Sequence, residues 1–134
     1  MKNCIFCSIA KGEAKSWKVY ENWKVCAFLD INPANKYHTI VISKKHYTNI
    51  FDIPPTELKE IISVVKKLAK IYEKKLGIKN IQIINSSGAE AQQDVFHINF
   101  HIVPRQKGDG QDIRWEPHPE WTKEYDRMLK RLKQ

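Results

Sequence analysis

No stretch of this sequence stays apolar for anything near the roughly 20 residues that cross a bilayer as a helix, which excludes a helical membrane span. Cysteine is scarce. Its three residues, Cys4, Cys7 and Cys26, are too few and odd in number for a disulfide scaffold. The opening Met1-Lys2-Asn3-Cys4 turns polar again by Lys11, without the apolar core of a secretory signal, so a cytoplasmic setting is expected. Five glycines and six prolines, never massed, mark no linker, and nothing repeats. A length of 134 residues then fits a single domain, 1–134. Acidic side chains are the minority, 15 Asp and Glu against 23 Lys and Arg, a formal charge of +8. That excess attracts nucleotides, nucleic acid or an acidic membrane surface without choosing among them. The lysines of Lys66-Lys67, Lys70 and Lys74-Lys75 read as the wet face of a helix. No arginine-rich tract or nucleic-acid-binding module accompanies them, so neither nucleic acid nor a membrane is the expected partner.

What is present is a globular composition, 42% hydrophobic and 28% charged. Val25 to Ile31 and Thr39 to Ile42 are short apolar runs either side of the turn-rich Asn32-Pro33-Ala34-Asn35, which predicts a pair of strands. From about Thr56 to Leu76, Leu58, Ile61, Ile62, Val65, Leu68, Ala69, Tyr72 and Leu76 recur at helical steps, and Gly77 supplies a left-handed stop. Ile81 to Ile84 reads as another strand. After the polar loop Asn85 to Asp94, Val95 to Val103 reads as a long strand closed by Pro104. Trp121, Tyr125, Met128, Leu129 and Leu132 have helical spacing and predict a short helix folding back. The expected fold is α+β: an antiparallel sheet of about five strands, one long helix that hides one face, and a C-terminal helix.

The chemistry concentrates on the last strand. In Phe96-His97-Ile98-Asn99-Phe100-His101-Ile102-Val103 a period of two puts His97, Asn99 and His101 on one face and Phe96, Ile98, Phe100 and Ile102 on the other. Same-face neighbours are about 7 Å apart, within reach of one phosphate-sized group. The plain alternative is a half-exposed strand whose polar residues face water. Cys4-Ile5-Phe6-Cys7 has a spacing that lets two thiolates grip one metal ion from a turn, with disulfide exchange as the alternative. Cys26, in an apolar run, reads as core, and His118, between two prolines, as a surface residue without a partner.

The string His97-Ile98-Asn99-Phe100-His101-Ile102-Val103 resembles the signature of the histidine-triad (HIT) family of nucleotide hydrolases and transferases, His-φ-His-φ-His-φ-φ with φ apolar. Gln93, Val95, Pro104-Arg105, Phe28-Leu29-Asp30-Ile31-Asn32-Pro33 and His38-Thr39-Ile40-Val41-Ile42-Ser43-Lys44 are also similar to it. The resemblance covers about Cys4 to Arg105 and implies a core of about 4–105 with a C-terminal extension, 106–134. It departs at the centre: where the family has its nucleophilic histidine, this chain has Asn99. A carboxamide nitrogen has its lone pair delocalised into the carbonyl and does not attack phosphorus.

The resemblance implies a catalytic set of Asn99 at the nucleophile position, His97, His101 as donor to the phosphate or leaving group, and Gln93 to orient the phosphate. It implies a base-binding wall of Phe6, Ile9, Phe28 and Ile31, with Asp30 on the ribose hydroxyls. His38 is similar to a histidine that buttresses the first triad member, and loop amides near Ser86, Ser87 and Gly88 would face the phosphates. The alternatives are a turn residue for Gly88, a histidine merely satisfied beside a strand for His38, and core and turn for Phe28, Ile31 and Asp30. A zinc-binding subset of the family further implies structural zinc on Cys4, Cys7, His46 and His97. An AMP-like purine nucleotide as ligand and a homodimer complete the expectation. The implied activity is cleavage at the α-phosphate of adenosine phosphoramidates or dinucleoside polyphosphates, disabled by Asn99. With Gln93, His97 and His101 intact, that exchange fits a deliberate His-to-Asn change; the alternative is a naturally non-catalytic nucleotide sensor or scaffold.

Overall fold

The computed structural model describes residues 3–134. In chain order they form α1 (Ile5–Ala10), β1 (Lys18–Glu21), β2 (Val25–Leu29), β3 (Thr39–Ser43), α2 (Pro55–Leu76), β4 (Ile81–Ile84), β5 (Asn99–Pro104) and α3 (Tyr125–Leu132), with 3-10 turns at Ala89–Ala91 and Pro119–Glu124. The five strands make one antiparallel sheet ordered β1-β2-β3-β5-β4, so the α+β expectation holds. None of the described helices is long and apolar enough to cross a membrane.

α2 forms where the apolar period said it would. Pro55 begins it without wasting a backbone donor, and Gly77 closes it at φ 68, a left-handed turn in which a Cβ would be strained. Ile61, Val64, Val65, Leu68 and Tyr72 bury one face against Val25, Ala27 and Val41 of the sheet and Ile98, Phe100 and Ile102 of the β5 segment. Each such fully buried aliphatic contributes about 1.5–3 kcal/mol by leaving water. Ile62 and Leu76, expected on that face, stay exposed at its margins.

The other sheet face carries Cys26, Phe28, Ile40 and Ile42, partly roofed by Phe6 and Ile9 of α1. Cys26 is fully buried, the core residue it was expected to be. Neither α1 nor β1 was expected. α1 has six residues and is capped by a sulfur, the Cys7 amide donating to Cys4 Sγ at 3.4 Å, so it offers no apolar period to read. β1 is a four-residue edge strand with mostly exposed side chains.

Three boundaries differ from expectation. The strand expected over 25–31 ends at Leu29, because the Asp30 amide donates to His38 O and Asp30 Oδ1 accepts the Asn32 amide, turning the chain. The strand expected from Val95 begins at Asn99: the Ile98 amide donates to Tyr47 O, outside the ladder, and the Gln93 carboxamide holds Val95 O. Phe96 consequently lies half-exposed instead of on the apolar face.

The C-terminal helix exists but does not fold back. Trp121, Tyr125, Leu129 and Leu132 remain exposed, because α2 and α1 already occupy the two sheet faces. Among the described residues the extension is anchored at its root, where Asp109 joins Asn35 Nδ2 (2.9 Å) and the Arg105 guanidinium (2.7 and 2.8 Å), Asp112 accepts from Arg105 (2.6 Å) and Gln111 Nε2 donates to Ala34 O (3.3 Å). His118 has a neighbour after all, stacked on the Trp121 ring at 4.4 Å.

Candidate functional site

On the α1 face of the sheet lies a cavity of about 430 Å³, within the range of small-ligand sites. Phe6, Ile9, Phe28 and Ile31 supply apolar wall, and Asp30, Ser86, Gln93, Asn99 and His101 supply polar groups. The register explains the company: Asn99 pairs with Ile42 and His101 with Ile40, so both side chains stand on the face that carries Phe28. His38, Gly88 and His97, expected here, are not among the lining residues.

His38 lies one layer behind, and it backs His101, not His97 as the resemblance implied. Pairing of Thr39 with Ile102 across β3 and β5 brings its Nε2 to 2.8 Å from His101 Nδ1. The Ala34 amide donates to His38 Nδ1 at 2.9 Å, which leaves the neutral ring's proton on Nε2. His38 Nε2–H therefore donates to His101 Nδ1, and His101 keeps its proton on Nε2. Asp30 Oδ2 lies 3.4 Å from His38 Nε2 and 3.8 Å from His101 Nδ1. Burial pushes the His38 pKa down against the pull of Asp30. Burial also depresses His101, helped by His38 and opposed by Asp30 and Asp94. Both rings are thus held neutral around pH 7.

Asn99 is half-buried, its Nδ2 donating to His97 O at 2.9 Å while Asn85 Nδ2 donates to its backbone oxygen. Gln93 borders the cavity, yet its carboxamide is fully engaged. Its oxygen accepts from the Gly88 amide (2.8 Å) and Asn49 Nδ2 (3.4 Å), and its nitrogen donates to Thr48 O (2.7 Å) and Val95 O (3.2 Å). It shapes the loop. The Gly88 amide is consumed in the same way, and φ 101 there makes it a turn glycine.

His97, completely buried, turns toward the N-terminus instead. The ligand atoms of Cys4, Cys7, His46 and His97 lie within 4.8 Å of one another. His97 Nδ1 is 3.4 Å from Cys4 Sγ, 3.5 Å from Cys7 Sγ and 3.1 Å from His46 Nδ1, and Cys7 Sγ is 3.3 Å from His46 Nδ1. A tetrahedral zinc ion with ordinary bond lengths needs S···N edges of about 3.6 Å and an N···N edge of about 3.3 Å, so the donor set fits. His97 Nε2 meets Ser43 O at 2.7 Å; as the donor there it leaves Nδ1 bare for a metal. Burial, then Cys4, raises the Cys7 thiol, and burial lowers His97. Phe6 links cluster to cavity, its ring 6.0 Å from His97 and 5.5 Å from Phe28.

Sequence reasoning missed Lys15, Ser16 and Asp94 in the lining. Asp94 had a usable signal, a charge beside Gln93 in the loop that feeds β5; Lys15 and Ser16 had none, since β1 was not foreseen.

Comparison with known proteins matches the family model described as HIT domain to residues 11–108, a span that contains His46 and His97 and begins after the two cysteines. The chain is 35% identical over 135 residues to a Candida albicans protein named adenosine 5'-monophosphoramidase, covering 96% of this chain and 86% of that one. It superposes with a TM-score of 0.89 on a HIT family protein from Bacillus anthracis, at 35% identity over 98% of this chain and 95% of that one. A zinc-bound histidine triad family protein from Mycobacterium smegmatis matches with a TM-score of 0.78 and 33% identity, over 98% of this chain and 96% of that one.

Proposed function

Because the chain belongs to the HIT domain family, we propose that its cavity takes an AMP-like purine nucleotide and that the site is of the type that cleaves at the α-phosphorus, with its nucleophile absent. The observation that carries this reading is the juxtaposition of Asn99 and His101 on β5 with Phe6, Phe28 and Asp30 around one cavity. The named phosphoramidase activity of the Candida albicans relative supports it.

Each residue then has a task set by its chemistry. Phe6, Ile9, Phe28 and Ile31 sandwich the base, and the Asp30 carboxylate accepts from the ribose hydroxyls. The phosphate lies against Asn99, near Ser86. His101 Nε2–H donates to a phosphate oxygen or to the departing group, steadied from behind by His38. Gln93 holds the loop by which the phosphate is flanked and Gly88 turns it, neither touching the ligand through its bonded amide.

The ribose contact is testable on the chain as it stands. AMP binds about tenfold more tightly than its 2',3'-dideoxy analogue, and Asp30→Asn brings the two affinities together. Titration calorimetry measures both; equal affinities in the unmodified chain, or no AMP binding, sink the reading. A second reading, a natural sensor that binds without turnover, draws support from the Asn99 amide, whose Nδ2 already donates to His97 O. Nucleotide binding by a gene that itself encodes Asn99 would favour it.

Cys4, Cys7, His46 and His97 hold structural zinc in this proposal, supported by their fit to a tetrahedron and by the zinc-bound relative. When bound, the ion supplies no reaction chemistry; it ties α1, and with it Phe6, to the sheet. Residues 4–105 form the working core and 106–134 an arm by which two copies join. The exposed Trp121, Tyr125, Leu129 and Leu132 support that use. Light scattering gives twice the 15.8 kDa chain mass, reduced by Leu129→Glu; a single-chain mass at micromolar concentration overturns the dimer.

A further inference from the structure

The charge around the cavity runs against that of the molecule. The chain carries a formal +8, yet the carboxylates of the loop joining β4 to β5, residues 85–98, are Glu90 and Asp94, with no lysine or arginine among them. Asp94 lines the cavity with Ser86, Asn99 and His101. It is exposed and makes no side-chain hydrogen bond or ion pair among the described residues. It is near enough to His101 for its charge to oppose the burial and the His38 proximity that hold that ring neutral.

The one lysine of the lining does not answer it. Lys15 lies in the segment before β1, the strand that stands three strand spacings, about 14 Å, from the β5 of His101. Its ammonium lies 5.1 Å over the Trp17 ring, a residue outside the lining. Asp94 shares the cavity lining with Asn99 and His101, against which the proposed phosphate lies.

Resting on the nucleotide reading of this cavity, we infer that Asp94 selects the leaving group, admitting a nucleoside phosphate substituted by a neutral or cationic amine and turning away one that continues as further phosphate. The physics is short-range. Every added phosphate brings negative charge toward Asp94 and Glu90, beside which the described residues of their loop place no cation, whereas a P–N substituent brings none and a protonated amine pairs with the carboxylate. For solvent-exposed pairs this amounts to about a twofold to fivefold change in affinity per charge, fading as salt rises.

The test uses the full chain and four ligands: adenosine 5'-phosphoramidate, its N-aminoethyl derivative, ADP and diadenosine tetraphosphate. At low salt the two phosphoramidates bind at least about fivefold more tightly than the two polyphosphates. Asp94→Asn tightens ADP and diadenosine tetraphosphate by about that factor, leaves the plain phosphoramidate within about twofold, and weakens the aminoethyl compound. Among the described residues the Asp94 side chain bonds to nothing, so the variant folds, and unchanged thermal melting checks this. Equal shifts for all four ligands, or none, overturn the selection by Asp94 while leaving the nucleotide reading intact. Failure of all four to bind the unmodified chain overturns the nucleotide reading itself.

Discussion

Asn99→His releases AMP from adenosine 5'-phosphoramidate at least about a thousandfold faster than the chain as it stands. The geometry is prepared for the exchange. Asn99 Nδ2 donates to His97 O at 2.9 Å, and an imidazole at this position has its Nδ1 where the carboxamide has Nδ2. Nδ1–H takes over that bond and leaves Nε2 bare toward the cavity, an in-plane lone pair that the carboxamide lacks. Attack forms an N–P bond and breaks the P–N bond to the amine, which leaves with a proton taken from water while the neutral His101 donates its Nε2–H hydrogen bond to a phosphate oxygen. The hydroxide so formed then cleaves the nucleotidyl intermediate, freeing AMP and the imidazole. The rate falls as pH drops through about 6.5, where the introduced ring becomes protonated and loses its lone pair. Following AMP by chromatography tests the prediction, with His101→Asn in the revertant background expected to remove most of the gain. A folded Asn99→His protein that binds AMP and releases none from the phosphoramidate refutes the assignment of this position.

The readability of such a site from sequence depended on how many residues repeat a pattern. α2 was legible because its 22 residues repeat one apolar face several times. α1 was not, since six residues complete fewer than two turns. The Cys4 and Cys7 pair was legible as a candidate metal grip because its spacing is local, and the residues implied as partners, His46 and His97, do stand beside it. The partner of His38 was not legible. It follows from the register of β3 on β5, which sets Thr39 opposite Ile102, and no local spacing encodes a register between strands so far apart in sequence. Alternation along β5 placed Asn99 and His101 correctly but ran four residues too far, into a segment held by the Gln93 carboxamide and Tyr47 O. Asp94 belongs to the same class: a loop carboxylate gains meaning only when the fold puts it at a cavity.

The second large effect is on the cysteine and histidine cluster. Protein purified without chelator carries one zinc per chain by elemental analysis, and Cys4→Ser loses the metal and melts at least about 10 °C lower. The cluster calls for a cation. If His97 Nε2–H is held by Ser43 O, its bare Nδ1 faces His46 Nδ1 at 3.1 Å and two sulfurs at 3.4 and 3.5 Å. Lone pairs at such spacing repel unless a proton or a metal stands between them. Structural zinc in small peptides supplies about 10–16 kcal/mol of apparent binding energy at neutral pH. This domain keeps its α2 core when the ion leaves, so only part of that appears as lost stability. Phe6 carries the loss to the cavity, its ring lying 6.0 Å from His97 and 5.5 Å from Phe28, and AMP affinity falls with the metal. Cys26→Ala is the control: that thiol is buried in the sheet and is not one of the four clustered ligands, so zinc stays bound while stability drops modestly. A metal-free preparation whose melting temperature ignores both chelator and added zinc overturns the assignment, and with it the idea that α1 is positioned by the ion.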